Sequence, residues 1–141
     1  MTQTHLYTQS PHNAYSGSIN DLGDGDTVVK LALLDSSHTT STTSHEHFSD
    51  VSDDEIAEEG GYDAGGQEVT TKALDHTDGT TEFSCDDVLW ESSSITASYA
   101  VLYEEGSGVL LSLVDFEGEE SSDDDDFLVE WSDGYVFRVE A

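Results

Sequence analysis

Residues 94–106 read SITASYAVLYEEG (Ser94–Gly106). Ile95, Ala97, Tyr99, Val101 and Tyr103 fall on one side of an extended chain. Thr96, Ser98, Ala100 and Leu102 fall on the other. A period of two held over this length marks a β-strand. Glu104 and Glu105 then open the glycine-rich turn "EEGSG", and Val109–Phe116, "VLLSLVDF", returns as the second strand of a hairpin. The glutamates belong to the turn of a packed strand, not to an acidic tail.

Upstream, Thr27–Asp35 reads "TVVKLALLD", an apolar run bounded by turn residues. It is too short for a helix with an apolar stripe. Its β-branched Val28 and Val29 favour a strand buried on both faces. Gln67–Leu74 reads as a further strand. Asp78-Gly79 is a two-residue hairpin turn leading through Phe83 towards Val88 and Trp90. Phe127–Trp131 and Tyr135–Val139 are expected to form a second hairpin about Asp133-Gly134, with Tyr135, Phe137 and Val139 on one face.

The intervening segments are polar. "SSHTTSTTS" (Ser36–Ser44) is a low-complexity loop. "HFSDVSDDEIAEE" carries Phe48, Val51 and Ile56 as apolar anchors and has room for one short helical turn capped at Ser49 or Ser52. "GGYDAGG" (Gly60–Gly66) is a glycine-bracketed loop that pins Tyr62. "EGEESSDDDD" reads as a solvated loop, and Met1–Asp26 as an extended arm. Roughly seven or eight short strands with regularly spaced turns predict an all-β fold, a single-domain antiparallel β-sandwich. Residues 1–26 are its N-terminal arm and 27–141 its body, including a long polar loop with a short helix.

The chain has 141 residues, of which 32 are Asp or Glu and 3 are Lys or Arg, for a formal net charge of -29. Low hydrophobicity with high net charge marks disorder. It also marks folded proteins that work in concentrated salt. There the Debye length falls to about 3 Å at 1 M, and self-repulsion is screened. The acids here punctuate apolar strands rather than gathering in one tail, which favours the second reading. Nucleic acid is not expected as a partner, since its phosphates would meet a surface of their own sign. The start, "MTQTHLYTQS", has neither a basic region nor an apolar run, so no signal peptide is expected. No stretch approaches the ~18 apolar residues of a membrane span.

Candidate chemistry is sparse. His45 and His47 in "HEH", with His38 upstream, are the residue types that bind zinc or nickel, and in an extended segment they share a face. Asp24 and Asp26 in "DLGDGD", and Asp123–Asp126, offer carboxylate oxygens to calcium but lack the EF-hand spacing. Solvated loop residues are the expectation for both sets, and no cofactor is expected. The single cysteine, Cys85, precedes Asp86 and Asp87, which raise a thiol pKa and dull it. There is no G-x-S-x-G elbow and no glycine motif for phosphate, so no enzymatic activity is expected. Tyr62, Trp90, Tyr99, Tyr103, Trp131 and Tyr135 are expected mainly to fill the core.

An ordered set of motifs spans nearly the whole chain: Leu6-Tyr7, "DTVVKLALLDSSHT" from Asp26, "HFSDVSDDEIAEEGGYDAGGQEVTTKAL", "DDVLWESSSITASYAVLYEE" and "VDFEGEESSDDDDFLVEW". In this order they resemble a family of small structural proteins of tailed bacteriophages. "GYDAGG" and the block from Trp90 to Tyr103 are the most specific parts. Two departures stand out: Tyr7–Ile19 is polar and carries Pro11, and Glu117 precedes Gly118 after "DF". With the acidic composition, the resemblance implies a haloarchaeal tailed virus. It implies a non-enzymatic virion protein, foremost a capsid decoration or turret protein on the head exterior. That protein would bind the major capsid protein as a trimer or pentamer. A tail or baseplate component is the alternative, and a carbohydrate-binding β-sandwich a third. Attachment is expected through the arm and the loop from His38 to Gly66, with Leu6, Tyr7, Phe48, Val51 and Tyr62 as contact residues.

Overall fold

The structure is a computed structural model, and it describes residues 3–7, 17, 22, 26–131 and 134–140. These residues form antiparallel strands with almost no helix, in a sandwich-like arrangement. The strands are β1 (Gln3–Leu6), β2 (Val29–Leu34), β3 (Gln67–Glu68), β4 (Ala73–Thr77) and β5 (Thr80–Ser84). They continue as β6 (Val88–Ser93), β7 (Thr96–Glu104), β8 (Leu110–Ser121), β9 (Asp125–Val129) and β10 (Phe137–Glu140). The main sheet has the order β1-β8-β7-β2-β3, and two smaller sheets, β10-β5-β4 and β6-β9, supply the second layer. No helix among the described residues is long and apolar enough to cross a membrane.

β2 lies between β7 and β3, and its burial is almost continuous. Both faces of the main sheet are covered, which is why the run from Val29 to Leu34 needs no polar face. Val29, Leu31 and Leu33 point into a core shared with Phe83, Trp90, Phe127 and Val129 of the smaller sheets. Ala32 and Leu34 point the other way, into a core with Tyr7, Val51, Val101, Leu110 and Leu113.

The hairpin of β7 and β8 forms as the alternation predicts, but its sidedness changes along the strand. Ile95 and Ala97 face the first core with Ala100 and Leu102, while Val101, Tyr103 and the half-buried Tyr99 face the second. Between Ala97↔Glu120 and Tyr99↔Asp115, the single residue Ser98 stands opposite the stretch Phe116–Glu119. The three extra residues lie on β8, where Glu117 and Gly118 take positive φ, and the pairing is out of step on either side of them. At the turn, the carboxylate of Glu104, only 1% exposed, accepts hydrogen bonds from the backbone N–H of Gly106 (2.5 Å) and Ser107 (3.3 Å) and from the Ser107 hydroxyl (2.9 Å).

Several expectations are corrected. The arm is not wholly outside the fold: β1 pairs along β8 with Leu6 opposite Ser112, and Tyr7 continues the ladder to Leu111 O. Gln67–Leu74 is not one strand. It breaks at Thr71, whose φ of 58° ends the extended run between β3 and β4. The acid-rich segment is mostly strand: β8 runs on to Ser121 and β9 begins at Asp125, because Phe127 and Val129 must reach the core opposite Trp90 and Val88 of β6. The turn residue Asp133 lies outside the described residues, and among those described β9 and β10 are not paired. β10 pairs with β5 instead, where Phe137 stacks on Phe83 at 5.4 Å and Arg138 meets Glu82. Val136 is buried and Tyr135 and Phe137 are half-buried, with Phe137 packed against the first core; the side chain of Val139 lies outside the described residues. The expected short helix is a pair of 3-10 turns, Phe48–Asp50 and Ser52–Asp54.

Candidate functional site

The segment from His38 to Gly66 is a strap: its first part, to Asp54, covers one face of the main sheet, and beyond it Ile56 and Tyr62 pack into the core on the other face. At the β7–β8 turn it is held by hydrogen bonds from Phe48 N–H to Gly108 O (2.7 Å) and from Leu110 N–H to Glu46 O (2.8 Å). At the far end of β2 it is held by Asp35 N–H to Asp54 O (2.9 Å) and Ile56 N–H to Leu33 O (3.1 Å). Because β2 runs antiparallel to β7, these anchors lie at opposite ends of the sheet, and the strap crosses between them. Phe48 stacks on Tyr103 with ring centres 4.3 Å apart, and Val51 is buried beneath. The N–H groups of Glu46 and His47 both donate to the Asp50 carboxylate at 3.0 Å. Those two bonds, His47 first, lower the Asp50 pKa.

Tyr62 locks the return of the strap. Its hydroxyl accepts from Leu33 N–H at 3.0 Å and donates to Glu55 at 2.5 Å, and Glu55 also accepts from Gly65 N–H at 2.6 Å. Burial first, and then the bond to Glu55, push the Tyr62 phenol up beyond its ordinary range. Tyr103 donates to Gly65 O at 2.6 Å, and burial pushes its phenol up to about 12. The bracket needs its glycines. At Gly66, φ is +84° and a Cβ would lie 2.0 Å from Leu31 O.

Beneath the strap, His38 is 5% exposed. Its Nδ1 lies 2.9 Å from Asp54 Oδ2, and its ring packs edge-on against Tyr99 with centres 5.4 Å apart. The ring of His45 lies with its centre 5.7 Å from that of His38. His38 Nε2 and His45 Nδ1 are both buried and have no hydrogen-bond partner. Among the described residues, no group of three or more His, Cys, Asp or Glu side chains is placed to hold a metal ion.

A polar cleft of about 380 Å³ separates the open edge of β3 from β6, lined by Gln67, Glu68, Thr70, Asp87 and Glu91. It is closed at one end by Asp86 N–H to Thr70 O (2.9 Å) and at the other by Ser94 N–H to Gly60 O (2.8 Å). Gln67 Oε1 is buried without a partner. The adjoining indole of Trp90 is only 6% exposed, so it gives no open platform on which a sugar ring would stack.

The expected contact residues divide. Tyr7, Val51 and Tyr62 are 0%, 1% and 1% exposed, so their side chains are buried in the chain's own core and are not offered to a partner. Leu6 and Phe48 are half-buried. Asp26 is exposed, and Asp24 lies outside the described residues. His45 meets His38, and each ring holds a buried nitrogen, so these two are not the solvated loop residues expected. Cys85 is partly buried, and desolvation foremost, with Asp86 and Asp87 adding, pushes its thiol up to about 12. Sequence reasoning missed Asp54, because an acid among so many acids carries no signal until the fold sets it on His38. It also missed two exposed apolar residues of the second layer, Leu74 (42% exposed) and Leu128 (48%).

Comparison of the chain with family models, curated proteins and solved structures returns no match.

Proposed function

We infer that this chain is a non-enzymatic structural protein of a tailed-virus particle that works in concentrated salt. It acts as a capsid decoration or turret protein, bound as a symmetric oligomer to the major capsid protein on the head exterior. The motif resemblance over nearly the whole chain supports the class. The observation that carries the attachment is the open edge of the second layer. β4 is an edge strand, exposed along most of its length, and it presents Leu74 on a surface otherwise rich in carboxylates. Leu128 of β9 adds a second large apolar side chain. In concentrated salt, ion pairing is screened while apolar contact and backbone pairing persist. An open edge with an apolar residue suits such an interface. The strap and β1, expected as attachment elements, are used within the chain, so the second layer takes their place in this reading.

The test is a cryo-EM map of the intact particle, together with reconstitution of particles lacking the protein. Density at head symmetry axes, and loss of binding in the Leu74→Asp and Leu128→Asp variants, are the expected results. Density confined to the tail would replace the head assignment with a baseplate role. Absence from the particle with binding to host glycans would overturn the virion reading in favour of a carbohydrate-binding module.

A further inference from the structure

We propose that His38 and His45 bind a transition-metal ion of the zinc class, which closes the polar loop between them at the start of the strap. The proposal rests on the chemistry of two nitrogens. A carboxylate only accepts, so the contact between His38 Nδ1 and Asp54 Oδ2 fixes Nδ1 as the donor. In the neutral ring that leaves Nε2 with a bare lone pair. The nitrogen is buried in a residue that is 5% exposed, and it has no partner. His45 Nδ1 is the second such atom. A buried nitrogen without a partner is unfavourable, and two such nitrogens stand in neighbouring rings.

Their spacing fits one shared ion. An imidazole nitrogen sits about 2.0–2.1 Å from a bound zinc and about 1 Å from its own ring centre, so two rings on a tetrahedral ion have centres roughly 5 Å apart. The observed separation is 5.7 Å. Asp54 takes the place of the carboxylate that commonly orients a metal-bound histidine through its other nitrogen. Imidazole selects zinc, copper or nickel over magnesium and calcium, which prefer oxygen. With two ligands from the chain, water completes the shell. The consequence is local: His38 follows β2 and His45 precedes the first 3-10 turn, so the ion closes the polar loop between them and stabilises the folded strap by mass action.

The test uses the full chain in molar salt with a large excess of Mg2+, which occupies surface carboxylates. Zn2+ is added and thermal unfolding followed, and Co2+ is added and its visible absorption followed. A rise in Tm and Co2+ bands with nitrogen ligation are expected. Both should vanish in His45→Ala and persist in His47→Ala, and the affinity should fall about 10–100-fold in Asp54→Asn. Should His38→Ala fail to fold, His45→Ala alone decides, because His45 is less buried. No zinc effect in the presence of Mg2+ would overturn the proposal and assign the two nitrogens to a bridging water. Retention of the effect in His45→Ala, or its loss in His47→Ala, would overturn it as well.

Discussion

The two faces of the main sheet are covered by different means. One face packs against strands, with Phe83, Trp90, Phe127 and Val129 meeting Leu31, Leu33 and Leu102 in a core of aromatic and branched side chains. The other face is closed by a strap with two short 3-10 turns, a stacked Phe48–Tyr103 pair and a few buried residues. The first cover rests on side-chain interlocking between regular layers, where each buried residue meets many neighbours. The second rests on discrete backbone bonds at its two ends. A cover made of point attachments opens locally more easily than one made of a packed layer. The strap is therefore the cover expected to open first.

The severest way to break this arrangement is at the seam where the strap enters β3. In Gly66→Ala, a Cβ collides with backbone at Leu31 O in a residue held at positive φ, so the variant is expected to lose cooperative unfolding or to displace the strap. Gly108→Ala is the control. Its φ is also positive, at +76°, but nothing lies within 4 Å of the added carbon. Only the left-handed strain of about 1–2 kcal/mol is expected there. Thermal unfolding in molar salt compares the two.

Next come the cores themselves. Leu102→Ala, on the layered face, is expected to cost about 2–5 kcal/mol. Val51→Ala, under the strap, removes two methyl-sized groups and is expected to cost about 1.5 kcal/mol. Equal losses in chemical denaturation would show the strap to be packed as tightly as the second layer. Tyr62→Phe keeps the ring but leaves Leu33 N–H without its acceptor, for about 1–3 kcal/mol. Hydrogen exchange should speed first at Leu33 and Gly65 rather than across β7.

Much of the layered face could be read from the chain. The apolar run at Val29–Leu34 and the hairpin about Asp78-Gly79 announce themselves by composition and turn chemistry. The pinning of Tyr62 by "GGYDAGG" does so too, because the glycines permit a backbone that other residues resist. The bulge on β8 opposite Ser98 was not legible, since periodicity continues in letters while the pairing shifts in space. Nor was the choice of β10 to pair with β5. That partner is selected by ring stacking and an ion pair across distant segments, against the nearer β9. The candidate site was half legible. The histidines stood out as a type, but their burial and the role of Asp54 depend on how the strap lies.

The smallest effect sharpens the same contrast through pH. The Asp50 pKa is lowered from its ordinary 3.8 by the two N–H groups that it accepts. A depressed carboxyl contributes stability above its unfolded value and loses it as pH falls through the folded one. On acidification below about 3.8, exchange at Glu46 and His47 should therefore quicken before the layered face responds. Asp50→Asn should remove that pH dependence. Asp50 is solvent-exposed, so the effect is expected to be modest.

The scarcity of cations has a practical consequence. Lys30 on β2 reaches Glu105 in the β7–β8 turn at 3.0 Å, and Lys72, between β3 and β4, donates to Thr27 O at the entry to β2. No other lysine occurs in the sequence. An amine-directed acylating reagent therefore has two side-chain addresses, each at a junction between segments far apart in the chain. Mass spectrometry of the rate at each address becomes a footprint of those junctions, read without background from a surface that offers the reagent almost nothing else.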